Sequence, residues 1–285
     1  MKISKFIKQN EKYALDNNKE SAAVILLLEH ILNMSPTELF INMENEISDE
    51  DMNRFNTEFD KYINHNIPIQ HIIGYSTFYG YDFIVNDDVL IPRRETEELV
   101  ENILYRYDQY FKGQKIDVCD LCSGSGNIAV TLSCEEPNMN VYGTDISPEA
   151  IEVAKKNNEK LGGNVKFLVG DMLEPVKGMK FDIFISNPPY IPQVQEVDSL
   201  VKDNEPNIAL FGGEDGLKFY RIILSGVKDL IKDKAMICFE HGYEMRESLH
   251  KIIKENLGDD VKIETLKDLE GKDRMTFIYV GDFKW

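Results

Sequence analysis

The chain is poor in cysteine, with four in 285 residues. That is too few to staple a fold of this size with disulfides. Cys119 and Cys122 form a C-x-x-C, but no second pair and no His cluster completes the four ligands of a closed zinc site, so no metal is expected. Long apolar runs are also missing. The longest early one, Ala22 to Leu28, is seven residues, far below the ~20 that span a bilayer, so no membrane association is expected. Met1 to Asn18 is interrupted by polar residues and lacks the pattern of a signal peptide; a cytoplasmic location is expected. Basic charge is scarce, with 32 Lys and Arg against 50 Asp and Glu, a net charge of −18. Neutralising nucleic-acid phosphates takes Lys and Arg. Direct nucleic-acid binding is therefore not expected, and a protein partner with a basic surface is, because acidic charge would steer its encounter.

What is present is 42% hydrophobic and 29% charged residues, enough for a globular chain with a sizeable core in one or two domains. From Met1 to about Asn66 apolar residues recur at helical spacing. Met52, Phe55, Phe59 and Ile63 make the clearest stripe. Ser35-Pro36, with Glu38 in the first turn, signals a helix start. Twelve acidic and seven basic residues fall in positions 1–80. Tyr75 to Ile91 alternates aromatic and polar positions around turn residues and reads as a β-hairpin linker. A helix is expected over Glu95 to Phe111. From Lys115 strands alternate with helices, the latter at Pro148–Leu161, Gly216–Ile231 and Tyr243–Leu257. Strands are expected at 115–121, 140–144, 165–169, 181–186 and 234–239, with a closing pair at 262–266 and 274–280.

The chemistry gathers at strand ends. The apolar strand Phe181 to Ser186 runs into Asn187-Pro188-Pro189-Tyr190. Two prolines cannot continue a ladder, so the chain leaves the sheet with carbonyls free and an Asn and a Tyr flanking them. The Asn side-chain oxygen and a free carbonyl can accept both N–H bonds of an amide or exocyclic amine, and the Tyr ring can lie on its flat face. The same four residues would also suit a plain strand-to-loop turn with an aromatic plug. Upstream, strand 115–121 enters Cys122-Ser123-Gly124-Ser125-Gly126 and then a helical pattern, a Gly-rich turn that lets a ligand approach the backbone. The next strand ends in Asp145, 25 residues after Asp120, where an acidic side chain can bond ribose hydroxyls. The third ends in Gly170-Asp171-Met172. The ends of parallel strands gather on one sheet edge, where open α/β sheets bind ligands.

In this order, Asp120-x-Cys122-x-Gly124-x-Gly126, Asp145, Asp171 and Asn187-Pro188-Pro189-Tyr190 resemble an S-adenosylmethionine-dependent methyltransferase acting on nitrogen. Pro68-Ile69-Gln70-His71-Ile72-Ile73-Gly74, Leu90 to Glu97, Glu205-Pro206 and Gly212 to Leu217 narrow the likeness. From about Pro68 to the C-terminus the chain resembles the HemK/PrmC family, protein-(glutamine-N5) methyltransferases of peptide chain release factors. The resemblance implies an α/β fold: a Rossmann-like methyltransferase domain over 95–285, a β-hairpin linker over 75–94, and a small helical bundle over 1–74 that docks the protein substrate. It implies S-adenosyl-L-methionine as cofactor, bound by Asp120, Cys122, Ser123, Gly124, Ser125, Gly126, Asp145, Asp171, Met172 and Asn187. Asn187, Pro188, Pro189 and Tyr190 would bind the substrate, with Asn187, Pro188 and Tyr190 catalytic. Release factors would be the partners of a monomeric enzyme. Cys122 stands where the family usually has Gly, and Arg94 where it usually has Pro.

Two other readings fit parts of the chain. A methyltransferase of nucleic-acid exocyclic amines, adenine N6 or guanine N2, uses a similar turn; the hairpin, Ile91-Pro92-Arg93 and the acidic charge count against it. A catalytically silent, cofactor-binding adaptor would not need Asn187 to Tyr190 intact.

Overall fold

The computed structural model describes residues 1–284. Contacts divide the chain into two units, Met1–Tyr75 with Val197–Asn204, and Ser76–Glu196 with the chain from Glu205 onward. The first unit is helical: α1 (Ile3–Asp16), α2 (Ala22–Leu32), α3 (Pro36–Ile41), α4 (Asp49–Asn64) and α5 (Ile69–Ile73). Its core is the expected apolar stripes turned inward. Phe6 meets Phe55 edge-on at 4.9 Å, and Phe55 lies 4.9 Å from Phe59. Ser35 and Glu38 form a reciprocal cap at the start of α3, Ser35 N donating to Glu38 at 2.8 Å and Glu38 N to Ser35 Oγ at 3.3 Å. Ser48 Oγ accepts from Asp51 N at 3.0 Å, and Asp49, Glu50 and Asp51 complement the positive end of α4. Residues 197–204 complete this unit. Leu200 packs on its core, and Asn204 Nδ2 donates to the Asn66 carbonyl at 2.7 Å.

The second unit holds a hairpin, β1 (Tyr75–Phe78) and β2 (Tyr81–Ile84), and a seven-stranded sheet. Its strands are β3 (Ile116–Leu121), β4 (Met139–Asp145), β5 (Lys166–Val169), β6 (Phe181–Ser186), β7 (Ile231–Glu240), β8 (Lys262–Lys267) and β9 (Asp273–Val280), in the order β5-β4-β3-β6-β7-β9-β8. β3 to β7 run parallel, and β9 is antiparallel to β7 and β8. The helices of this unit are α6 (Arg94–Tyr110), α7 (Asn127–Glu135), α8 (Pro148–Leu161), α10 (Lys218–Gly226) and α11 (Arg246–Leu257); α9 (Ser199–Lys202) belongs to the first unit. Leu99 and Ile103 of α6 and Ile128 and Val130 of α7 cover one sheet face, while Ile223 and Leu224 of α10 and Leu249 and Ile253 of α11 cover the other. A parallel sheet covered on both faces needs continuous apolar strands. In β6, Phe181, Ile183, Phe184 and Ile185 are wholly buried, each contributing about 1.5–3 kcal/mol.

Two elements differ from expectation. The helix expected over Gly216–Ile231 stops at Gly226 and continues as a 3₁₀ turn, Val227–Leu230. Glycine is a weak helix former, and Gly226 is the last α-helical residue. The hairpin strands end at Ile84. Val85 and Val89 then bury against Ala150 and Val153 of α8, which turns residues 85–93 into a wall rather than a linker.

Register sets the site. Strand order reverses between β3 and β6, the switch point where open α/β sheets bind ligands. Val169 pairs with Asp145, Thr144 with Leu121, Leu121 with Ser186, and Ser186 with Phe239. The next residue or two along each strand are Gly170-Asp171, Asp145, Cys122, Asn187 and Glu240. One row across the sheet thus presents the acidic, Gly-rich and Asn-Pro-Pro-Tyr ends together.

Candidate active site

A cavity of about 290 Å³ opens along this row. Cys122, Gly124, Asp145, Asp171, Met172, Asn187 and Pro189 line it, as do residues from three loops. Asp120, Ser123, Ser125, Gly126, Pro188 and Tyr190 stand around the cavity and are not on its lining.

The Gly-rich turn is built by backbone bonds. Ser123 N donates to the Thr144 carbonyl at 2.9 Å and Gly126 N to the Ser123 carbonyl at 2.8 Å. Gly126 has φ +79°, and a Cβ there would lie 3.0 Å from Ala154 and 3.1 Å from the Phe167 ring, so this position takes glycine alone. Cys122 and Met172 sit at φ +63° and +43° without that freedom. Burial raises the Cys122 thiol well above its ordinary range, and Asp145 and Asp120 add to the effect; it is a neutral group facing the cavity.

Asp145 is the chief polar group of the cavity. One carboxylate oxygen accepts from Gly124 N at 2.9 Å and the other from Ser147 N at 3.0 Å. Each oxygen keeps lone pairs for further donors. Burial raises its pKa, and the N–H groups of Ser147, Gly124 and Ile146 oppose that shift. Asp120 is different. It is wholly buried, and neither carboxylate oxygen has a donor in full hydrogen-bond geometry. Burial pushes its pKa up to about 7; the Ser123 side chain and the Ala129 N–H pull the other way without offsetting it.

Residues 210–216 hold the chain just past the Asn-Pro-Pro-Tyr turn. Ile191 N donates to the Leu210 carbonyl, Gly212 N to the Ile191 carbonyl and Gln193 N to the Gly213 carbonyl, each at 2.9 Å. Gly212 and Gly216 shape this backing, since a Cβ at Gly212 would lie 2.5 Å from the Pro189 carbonyl oxygen. Among the described residues nothing donates to Asn187 Oδ1 or to the Pro188 carbonyl. Asn187 Nδ2 donates to Thr96 Oγ1 at 3.3 Å, and Thr96 Oγ1 to Glu240 at 2.7 Å. The Tyr190 hydroxyl reaches the other Glu240 oxygen at 3.4 Å. Burial raises the Glu240 pKa, opposed by Thr96 and the Arg274 charge. Burial likewise lifts the Tyr190 phenol far above its usual value. His241 bonds Thr276 Oγ1 at 2.8 Å and the Gly242 carbonyl at 2.9 Å, and its role is structural.

Several residues at or near the cavity escaped the sequence reading. Asp88, Val89 and Leu90 lie on the cavity wall, in the stretch expected to be linker. Ile146 is 46% exposed although large and apolar; its position one step past the acidic strand end is the signal that could have found it. Asn157 is wholly buried, bonding Ile84 N at 2.7 Å and the Ser125 carbonyl at 2.9 Å. It ties the hairpin to the Gly-rich turn and sits mid-helix with no motif to mark it. Among the described residues no group of three or more His, Cys, Asp or Glu side chains could hold a metal ion. Nor is any described helix long and apolar enough to cross a membrane.

A parallel sheet with a Gly-rich turn, an acidic second strand end and an Asn-Pro-Pro-Tyr turn meeting at its switch point defines an α/β methyltransferase. The domain family described as "Methyltransferase small domain" matches residues 96–204, and the "PrmC N-terminal domain" matches 5–74. A methyltransferase from Pyrococcus furiosus shares the fold, with a TM-score of 0.52 at 18% identity over 81% of this chain and 99% of that one. The chain belongs to the release factor glutamine methyltransferase family. It is 40% identical to the member from Bacillus cereus over 97% of this chain and 99% of that protein. It is also 40% identical to the member from Bacillus subtilis, over 95% and 96%.

Proposed function

We propose that this chain methylates the side-chain amide nitrogen, N5, of the glutamine in the Gly-Gly-Gln motif of peptide chain release factors, using S-adenosyl-L-methionine. The observation that carries the reading is the pair of unengaged acceptors, Asn187 Oδ1 and the Pro188 carbonyl, on a rigid turn beside the cavity. A primary amide has two N–H bonds and a flat face; two acceptors and the Tyr190 ring match it.

The cavity suits the cofactor's chemistry. Asp145 has spare lone pairs for ribose hydroxyls, Ile146 and Met172 offer apolar contact for a base, and Asp88, Asp145 and Asp171 against Lys218 make a wall favourable to a cation. When bound, S-adenosylmethionine supplies the electrophilic methyl of a sulfonium. Asn187 and Pro188 would accept hydrogen bonds from the two amide N–H groups and so aim the nitrogen lone pair at the methyl, whose bond to sulfur breaks as the N–C bond forms, leaving the cofactor as a neutral thioether. Tyr190 covers the amide plane. Alignment of this kind is worth ~7–11 kcal/mol, so the weak amide nucleophile needs no strong base, and its proton passes to water.

The helical unit, residues 1–74, docks the release factor and performs no chemistry. Its acidic excess favours a basic partner surface. The enzyme acts as a cytoplasmic monomer with no direct hold on nucleic acid. Mass spectrometry of a release factor incubated with enzyme and cofactor should show one added methyl on the Gly-Gly-Gln glutamine. An unmodified factor, or methylated adenine in added DNA, would defeat the reading.

A further inference from the structure

Asn187 can serve a substrate amide only if its side chain points oxygen outward. A carboxamide is nearly symmetric in shape, so sterics do not choose between its two flips. Something must fix the polarity. Two buried groups behind the turn and the half-buried Asn187 amide form a chain that does so: Glu240 at the end of β7, 2% exposed, Thr96 in the first turn of α6, also 2% exposed, and Asn187 itself on the cavity wall.

We propose that Thr96 and Glu240 are positioning residues that lock the flip of the Asn187 carboxamide, and so its oxygen toward the substrate amide. The proposal rests on the glutamine-amide reading above. The argument is one of donors and acceptors. The Thr96 hydroxyl has a single proton, and it donates that proton to Glu240 Oε2 at 2.7 Å. What Thr96 then shows to Asn187, 3.3 Å away, is a lone pair. Only the NH₂ side of Asn187 can meet a lone pair, so the oxygen faces away, into the cavity. The Tyr190 hydroxyl at 3.4 Å gives Glu240 a second donor, and the Tyr220 hydroxyl, 2.6 Å from the Glu240 carbonyl, pins the strand end that carries it. Burial raises the Glu240 pKa; the Thr96 hydroxyl, the Arg274 charge and the Asn187 amide favour the charged carboxylate, and Glu95 opposes it. Neither Thr96 nor Glu240 lines the cavity; both act through Asn187.

The test compares Thr96→Val, which keeps the shape and loses the hydroxyl, with Thr96→Ser, which keeps the hydroxyl. Thr96→Val should lower kcat on a release factor ~10–100-fold, with KM for the factor and calorimetric affinity for the cofactor within ~2-fold. Thr96→Ser should recover most of that loss. In an Asn187→Ala background, Thr96→Val should cost nothing more, because its effect passes through the missing side chain. Glu240→Gln, which offers both a donor and an acceptor, should give a smaller loss, ~3–10-fold. It carries the test alone should Thr96→Val fail to fold. A second readout needs no turnover: the Asn187 side-chain NH₂ signals in NMR of the protein alone should exchange with solvent slowly in the wild type and quickly in both variants. Wild-type kcat and slow exchange in the variants, or additive losses in the Asn187→Ala background, would overturn the proposal. A wild-type enzyme that methylates no release factor would instead overturn the function, while the exchange measurement would still judge the lock.

Discussion

Asp145 and Asp120 are both carboxylates at the ends of neighbouring strands, yet their surroundings set them to different work. Asp145 faces the cavity with each oxygen already holding one backbone N–H. Asp145→Ala should weaken cofactor binding by ~1.5–3 kcal/mol, the scale of hydrogen bonds to a charged group. Unchanged affinity by calorimetry would remove it from the site. Asp120 has its pKa raised by burial to about 7, against ~3.9 unfolded. The folded state thus holds its proton more tightly than the unfolded chain. Its contribution to stability is fully present below pH ~4 and is lost as pH rises through about 7. Asp120→Asn cannot ionise, so its urea stability should gain on the wild type between pH 4 and 8, by on the order of 2–4 kcal/mol. Parallel curves would mean that Asp120 is solvated or paired. At this scale the sequence spoke through position. A carboxylate after a strand is visible in the chain, but whether it faces a cavity or lies beneath a turn depends on register across β3 and β4. Thr96 and Glu240 were unreadable for the same reason: 144 residues separate them, and only folding sets their side chains 2.7 Å apart.

Elements were more legible than their junctions. Period-2 and apolar runs marked all seven strands of the large sheet, and α8 runs over Pro148–Leu161 as its cap and Gly162 suggest. What periodicity could not give is the backing of one loop by another. Residues 210–216 brace Ile191 and Gln193, directly after the Asn-Pro-Pro-Tyr turn, through three backbone bonds. Gly216, at φ +75°, comes so near that a Cβ would lie 2.2 Å from the Tyr190 carbonyl oxygen and 2.3 Å from Met245 Cε. Gly216→Ala would combine left-handed strain of ~1–3 kcal/mol with a clash that displaces the turn. A misplacement of ~1 Å can cost 10²-fold in rate. Turnover should fall at least ~10-fold, while cofactor affinity, proposed to rest on the ends of β3, β4 and β5, should change little. Normal turnover would show that the brace is dispensable.

At the scale of the whole molecule, charge dominates. With a net charge of −18, the protein repels other acidic surfaces and attracts basic ones over about a Debye length, ~8–10 Å at physiological salt. Association with a release factor should therefore slow as salt rises, on the order of 10-fold between low and high ionic strength, with dissociation far less affected. Stopped-flow rates independent of salt would show that the acidic surface plays no part in the encounter. This was legible from composition alone. The division of the chain into units was only partly so, because the stretch 197–204 carries no signal of where it belongs; its membership rests on contacts such as Asn204 to Asn66.

That stretch has a consequence for how the protein comes off the ribosome. The helical unit is almost complete once Tyr75 has been made, but its last piece begins at Val197, 122 residues later (197 − 75). At ~5–20 residues per second, translation leaves roughly 6–24 s in which the N-terminal helices have emerged and Leu200 has not. During that interval the surface that receives Leu200 is open to water, to chaperones or to another nascent chain. The bundle has its apolar stripes early in the chain and its last piece late, in a segment that follows shortly after the Asn-Pro-Pro-Tyr turn. Completion of the helical unit is thereby coupled to synthesis of that turn: a chain truncated before Asn187 can have neither.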